Sequence, residues 1–191
     1  ILTRAEPYRA FVREKLIEYD VPLCLEYLPI IESSYDIKAV SKSGAVGLWQ
    51  FMENSISGFL TKNSWVDERK DPWLSTEAAI KKLKENYTYF GDWALALAAY
   101  NMGLGGLSRI MKNTGCKTFW ELADGGHLKS ETTHYVPKFL AIADLITNSE
   151  YYGLNLPTYN PEKSYKTDTV ELKFQVSLEQ LALASKVSVK T

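Results

Sequence analysis

The sequence predicts a mainly α-helical protein with a small β/α extension at its C-terminal end. Three observations lead there. Apolar residues recur at helical spacing over long stretches, capping side chains stand where several of those stretches begin, and the texture changes after Gly153. At 191 residues the chain has the length of one domain with an appendage. The natural division is a helical body over 1–150 and a C-terminal unit over 151–191.

The elements follow in order. From Arg4 to Tyr19 the stripe Tyr8, Phe11, Val12, Leu16 and Tyr19 has helical spacing. Asp20-Val21-Pro22 breaks it, and Pro22 can open a second helix that is apolar nearly all round and runs into Glu32-Ser33-Ser34. A loop is expected from Asp36 to Val46, then a short buried helix over Gly47–Met52. The polar stretch 61–74 contains Asp71-Pro72, a turn or a helix start, and Ser75 and Thr76 are candidate caps for a helix reaching Phe90. Asp92 caps an apolar helix from Trp93 to Tyr100, after which Gly103, Gly105 and Gly106 read as a glycine-rich connection. These glycines are no phosphate loop, because no Gly-Lys-Ser/Thr follows. Thr118 and Glu121 have capping-box spacing, and a last long helix spans Ser130 to Asn148 with Pro137 in its first two turns. Pro157 and Pro161 mark a linker. Val170, Leu172, Phe174 and Val176 then alternate as a strand would, and Ser177 caps a short helix over Leu178–Ala184.

Composition removes several classes of function. The 22 basic and 23 acidic residues nearly cancel, so nothing points to nucleic acid. No run of about 18 apolar residues is present to cross a membrane. The chain opens Ile1-Leu2-Thr3-Arg4, without a Met or a signal peptide's layout, so a removed export signal or lipid anchor would be invisible in it. Cys24 and Cys116 fit either one disulfide or two separate buried thiols. Neither they nor His127 and His134 form a metal-ligand pattern, and no cofactor is expected.

Glu32 carries the chemistry. A carboxyl ending the apolar run Leu28-Pro29-Ile30-Ile31 is partly withdrawn from water, which raises its pKa and suits it to protonate a glycosidic oxygen. Ser33, Ser34, Ser41 and Ser43 supply hydroxyls nearby, Trp49, Gln50 and Met52 a ring, an amide and a thioether, and Tyr100-Asn101 a hydroxyl and an amide. Sugar sites are assembled from such groups.

Three linked motifs carry a resemblance. Glu32-Ser33-Ser34-Tyr35 with Ala39-Val40-Ser41-Lys42-Ser43-Gly44-Ala45-Val46-Gly47-Leu48-Trp49-Gln50, then Ala98-Ala99-Tyr100-Asn101-Met102-Gly103, then Glu131-Thr132 with Tyr135-Val136-Pro137, resemble in order and spacing the signatures of the soluble-lytic-transglycosylase (SLT) domain. Leu28-Pro29-Ile30-Ile31-Glu32-Ser33 and the Trp of Gly-Leu-Trp-Gln resemble the membrane-bound lytic transglycosylase D branch. The resemblance implies a lysozyme-like helical fold and cleavage of the MurNAc–GlcNAc β-1,4 bond of peptidoglycan glycan strands. It implies an exported protein, periplasmic or associated with the outer membrane, whose anchorage would come from a segment outside this chain. It carries over Glu32 as acid and base, Ser41 as the serine near the reacting sugar, Gln50 as the amide of the first signature, Tyr100 and Asn101 as a Tyr-Asn pair beside the acid, and Glu131 as a glutamate at the rim or floor of the cleft. Ser43, Trp49 and Tyr135 join them as substrate-binding candidates. Val176 to Val189 is similar to the opening of a LysM-like wall-binding module, cut short and without the usual Gly-Asp.

Each assignment has a plainer alternative. Glu32 also fits a helix-end glutamate turned to solvent, Tyr100 and Trp49 core positions, Gln50 a tie for loop backbone, and Glu131 a first-turn acid beside the helix dipole, while Lys81, Lys82 and Lys84 read as a solvated helix face that could meet anionic wall peptides. The mechanism follows from a missing partner. The two-carboxylate route needs a second acid across the bond, and between Glu32 and Gln50 only Asp36 is present. Glu32 is therefore expected to act alone, with the C6 hydroxyl of the same sugar closing onto C1 as a 1,6-anhydro ring, an intramolecular attack favoured by proximity. Goose-type hydrolysis by water and sugar binding without catalysis are the rival readings.

Overall fold

In the computed structural model, which describes residues 1–166 and 171–186, the chain folds into eight α-helices joined by turns and short 3₁₀ segments. Helix α1 (Leu2–Glu18) buries Ala5, Val12 and Leu16 and contains Pro7. A proline in a helix interior removes a donor and crowds the preceding turn. Around and one turn beyond it the helix takes polar partners from far along the chain. The Ser164 hydroxyl accepts from Ala10 N (3.2 Å) and donates to Glu6 O (2.9 Å), and Tyr165 N donates to Pro7 O (2.9 Å). The segment expected to be a linker is thus packed on α1 as far as Tyr165, whose ring meets Tyr8 at 5.7 Å.

The expected second helix is broken in two. A 3₁₀ turn spans Leu23–Tyr27, and α2 covers Leu28–Ser33. Pro29 is the cause: with no N–H it cannot continue a ladder from Leu25, but it sits comfortably in the first turn of a new helix. Two consecutive left-handed residues, Ser34 (φ 54°) and Tyr35 (φ 59°), end α2. The Tyr35 ring is buried beneath it, its hydroxyl donating to Glu26 O (2.5 Å).

The helix expected over Gly47–Met52 is not formed. This stretch is a buried loop with single antiparallel bridges Val40–Val46 and Val46–Phe51. Gly47 (φ 81°) and Gln50 (φ 49°) leave the right-handed region, so no helical ladder runs through them. A Cβ on Gly47 would lie 2.0 Å from Arg69 O, so only glycine fits there. The Arg69 side chain closes the loop, donating to Gly44 O (3.3 Å) and Phe51 O (3.2 Å) while paired with Asp67 (2.7 Å).

Asp71, not Ser75 or Thr76, caps α3 (Pro72–Phe90), accepting from Trp73 N and Leu74 N. Ser75 and Thr76 lie inside the helix, their hydroxyls donating to Asp71 O and Pro72 O. Asp92 caps α4 (Trp93–Met102) as expected, and Leu95 to Ala99 are all buried. Helix α4 lies at the centre, packed against α3, α5 (Leu104–Thr114), α6 (Phe119–Asp124) and α7 (Ser130–Thr147). Helix α5 corrects the glycine-rich connection. Gly103 (φ 90°) alone makes the joint, and Gly105 and Gly106 belong to the helix. Thr118 and Glu121 form the expected capping box on α6.

The C-terminal unit has one expected element, α8 (Leu178–Ser185) under a Ser177–Gln180 capping box. The described part of the expected strand, 171–176, is irregular, and Leu172 and Phe174 are exposed. Alternation alone makes no strand without a partner ladder. Val170 and the last residues of the LysM-like stretch, 187–189, lie outside the described residues.

Candidate active site

The last turn of α2, the loop 39–52, the end of α4 and the first turns of α7 surround a cavity of about 780 Å³. Glu32 comes from α2, and Ser41, Ser43 and Gln50 from the loop. Tyr100 and Asn101 come from α4, and Glu131 and Tyr135 from α7. The structure therefore brings together every substrate-binding candidate named from the sequence except Trp49, while the nearby Ser33 and Ser34 do not line the cavity. That ring is fully buried behind the loop, its indole N–H donating to Thr76 Oγ1 (2.8 Å).

The Glu32 carboxyl opens partly onto the cavity but is otherwise enclosed by protein. Its one hydrogen-bond donor among the described residues is the Tyr135 hydroxyl. Burial, opposed by that hydrogen bond and reinforced by the nearby Glu131 charge, pushes its pKa up to about 7. Lys138 pulls the other way without forming an ion pair. The acid is thus poised to give and take a proton near neutral pH.

The tyrosines divide the work differently from the reading of the sequence. Tyr135 holds the acid, and burial and the Glu32 charge raise its own pKa well above normal, so it stays a donor. Tyr100 lines the same cavity within reach of the Glu32 charge, while its hydroxyl donates to Trp49 O (2.9 Å) and its ring meets Phe51 edge-on at 6.1 Å, bracing the loop against α4. Burial, then the Glu32 charge, likewise pushes the Tyr100 hydroxyl up.

The polar wall is held in register by its own bonds. Ser41 Oγ accepts from Ala45 N (3.0 Å), while Ser33 Oγ donates to Leu48 O (2.8 Å) and ties α2 to the loop. Gln50 does tie loop backbone, Nε2 donating to Gly47 O (2.9 Å) and Ala39 O (3.3 Å), and it also lines the cavity. Asn101 accepts from the buried Thr132 (2.8 Å) and donates to Glu131 (3.4 Å), which fixes its amide. Glu131 is exposed at the rim. Asp36 accepts from Lys38 N (2.9 Å) in a turn and does not line the cavity.

His134, Lys138 and Lys82 also line the cavity, and the sequence reading gave them no place there. Helical spacing held the signal for two of them, since 131, 134, 135 and 138 share a face of α7. Lys82 follows Ala78 and Ala79 on the buried stripe of α3. Among the described residues no cluster of three His, Cys, Asp or Glu could hold a metal ion, and Cys24 and Cys116 are free thiols, Cys24 exposed and Cys116 partly so.

Fold and site together define a helical domain with a cleft built around one largely buried carboxyl and walled by two tyrosine-bearing helices. Comparison with known proteins narrows this. The model of the transglycosylase SLT domain matches residues 11–123, and the chain belongs to that family. It is 34% identical over 195 residues to membrane-bound lytic murein transglycosylase D of Escherichia coli K12, and equally to that of Escherichia coli O6:H1. The match covers 99% of this chain but 42% of each relative's length, so the chain spans less than half of them. Among solved structures, an inactive mutant of lytic transglycosylase Slt from Pseudomonas aeruginosa superposes with a TM-score of 0.61 at 22% identity, over 86% of this chain and 28% of that one. The helical lysozyme-like fold implied by the motifs is therefore the fold of this chain.

Proposed function

We propose that this chain is a lytic transglycosylase acting on murein, with Glu32 as its acid and its base. One observation carries the reading: a carboxyl on the cavity wall with no cation in ion-pair contact and a pKa raised to about 7. Protonated Glu32 gives its proton to the glycosidic oxygen between MurNAc and GlcNAc, and the C1–O bond breaks. The substrate's N-acetyl oxygen, or a short-lived oxocarbenium ion, carries the electron demand at C1. Glu32, now ionised, takes the proton of the C6 hydroxyl on the same MurNAc as that oxygen bonds to C1, leaving a 1,6-anhydro end. Tyr135 keeps the carboxyl oriented through both transfers.

Ser41, Ser43, Gln50 and Asn101 offer hydroxyls and amides to the sugar ring, and Phe51 and Met52 an apolar surface. The relatives' names support murein as the substrate, and with it work in the periplasm or at the outer membrane. Among the described residues no helix is long and apolar enough to cross a membrane. We place catalysis in residues 1–150 and read 151–191 as a linker with the start of a wall-binding extension.

Glu131 favours one second reading. It is the other carboxylate lining the cavity among the described residues, and as a base for water it would make the chain a hydrolytic lysozyme. Mass spectrometry of muropeptides released from purified sacculi separates the two. Anhydro ends lighter by one water are expected, absent with Glu32→Gln. Reducing ends, lost equally with Glu131→Gln and Glu32→Gln, would replace the lyase with a hydrolase.

A further inference from the structure

The cavity wall contributed by α3 holds a cation that the proposed sugar chemistry does not use. Lys82 is half-buried, its ammonium facing the Phe59 ring (5.6 Å to the centroid) and donating to Ser55 O (3.3 Å). Its neighbours on the same helix are differently placed: Lys81 pairs with Glu77 at 2.7 Å and Lys84 with Asp20 at 3.6 Å. Lys82 enters no ion pair among the described residues, its nearest acid being Glu85 on its own helix. Burial lowers its pKa, the signature of a charge short of solvation. An ammonium has three donors, and the Ser55 carbonyl takes one. Lys82 also lies apart from the acid, for the charges acting on Glu32 are Glu131 and Lys138.

A partly desolvated, unpaired cation on a cavity wall is built to receive an anion. In an intact murein strand the sugars are uncharged, because the lactyl carboxyl of each MurNAc is tied up in its amide to the peptide. The carboxylates belong to the peptide stems. We propose that Lys82 binds a carboxylate of the peptide stem, so that the cavity selects strands whose stems carry free carboxylates over amidated ones. This inference rests on murein being the substrate, and it makes Lys82 a specificity residue with no part in the proton transfers.

The test measures binding by calorimetry in the Glu32→Gln background. The probes are GlcNAc–MurNAc–tetrapeptide with free peptide carboxylates and the same compound with those carboxylates converted to amides. The free acid is expected to bind about tenfold more tightly, the worth of one charge-assisted hydrogen bond. Adding Lys82→Met, which removes the ammonium and keeps an unbranched apolar side chain, should erase that preference, and Lys82→Arg should restore most of it. Equal binding of both probes by the Glu32→Gln protein overturns the proposal. So does an equal loss for both probes with Lys82→Met, which would mark Lys82 as a brace for the loop at Ser55. Sacculus digestion by the unaltered protein is scored separately. If cleavage fails while the preference persists, the lyase reading falls and the carboxylate site stands.

Discussion

Two glutamates on one short stretch of chain, Glu26 and Glu32, are both withdrawn from water and lead opposite lives. Glu26 is 2% exposed and closed in by cations: Arg9 Nε at 3.2 Å, Arg13 Nη1 at 2.6 Å, with Tyr159 stacked over both guanidinium groups at 4.8 and 5.0 Å. Glu32 has a tyrosine where Glu26 has two arginines, and one side open to a cavity. A buried carboxylate with cations against it is a fixed joint. One with only a hydroxyl trades its charge for a proton and remains available to chemistry. Burial is common to both, so the partner decides.

The comparison can be broken at four points. The largest effect is expected at the acid itself: Glu32→Gln should lower murein cleavage by about a thousandfold or more, the scale of a lost general acid and base. The same change should stabilise the protein, with a sign set by pH. The folded state keeps a proton from the ordinary value of 4.5 up to about 7, so stability is full below the first value and lost as pH rises through the second. Thermal melts should place Glu32→Gln above wild type at pH 8, by up to about 3 kcal/mol, and level with it at pH 4. Wild type melting higher at pH 8 would mean that the acid is not strained by burial.

Glu26→Gln should do the reverse, leaving the buried Arg9 with only its longer 3.5 Å contact to Glu6 and costing about 3 kcal/mol in a denaturant titration. Its activity per folded molecule should survive. Tyr135→Phe comes third, with a loss of roughly tenfold to a hundredfold in kcat/KM, since one donor to the acid goes. Because that bond holds the Glu32 pKa down, the alkaline limb of the pH–rate profile should move to higher pH. Glu131→Gln is smallest under the lyase reading, a loss of about a few-fold. Its charge raises the Glu32 pKa, so the same limb should move to lower pH.

What the sequence disclosed followed its strong local signals. Asp92, the Thr118–Glu121 box and Ser177 marked helix starts because a cap acts within one turn of itself. Glu32 stood out because a charged residue ending the apolar run Leu28-Pro29-Ile30-Ile31 is costly if it follows that run out of water. What stayed hidden depends on distant partners or on apolar runs that periodicity cannot resolve. Gly47–Met52 is apolar enough for a helix, and only the close approach of Arg69 O shows why Gly47 forbids one. The poor helix propensity of Gly105 and Gly106 masked α5, although Leu104, Leu107 and Ile110 had helical spacing. That Tyr135 rather than Tyr100 grips the acid is a matter of how α7 crosses α2, which no local pattern records.

The hydroxyl that mends α1 arrives 154 residues after the amide it serves. During synthesis the first helix must therefore wait for this partner to Glu6 O and Ala10 N until the whole stretch to Ser164 has left the ribosome. Ser164 then acts as a late stitch, joining the two ends of the body in a single seam. A chain stopped at Gly153 would carry every group around Glu32 and still begin with an unsealed helix.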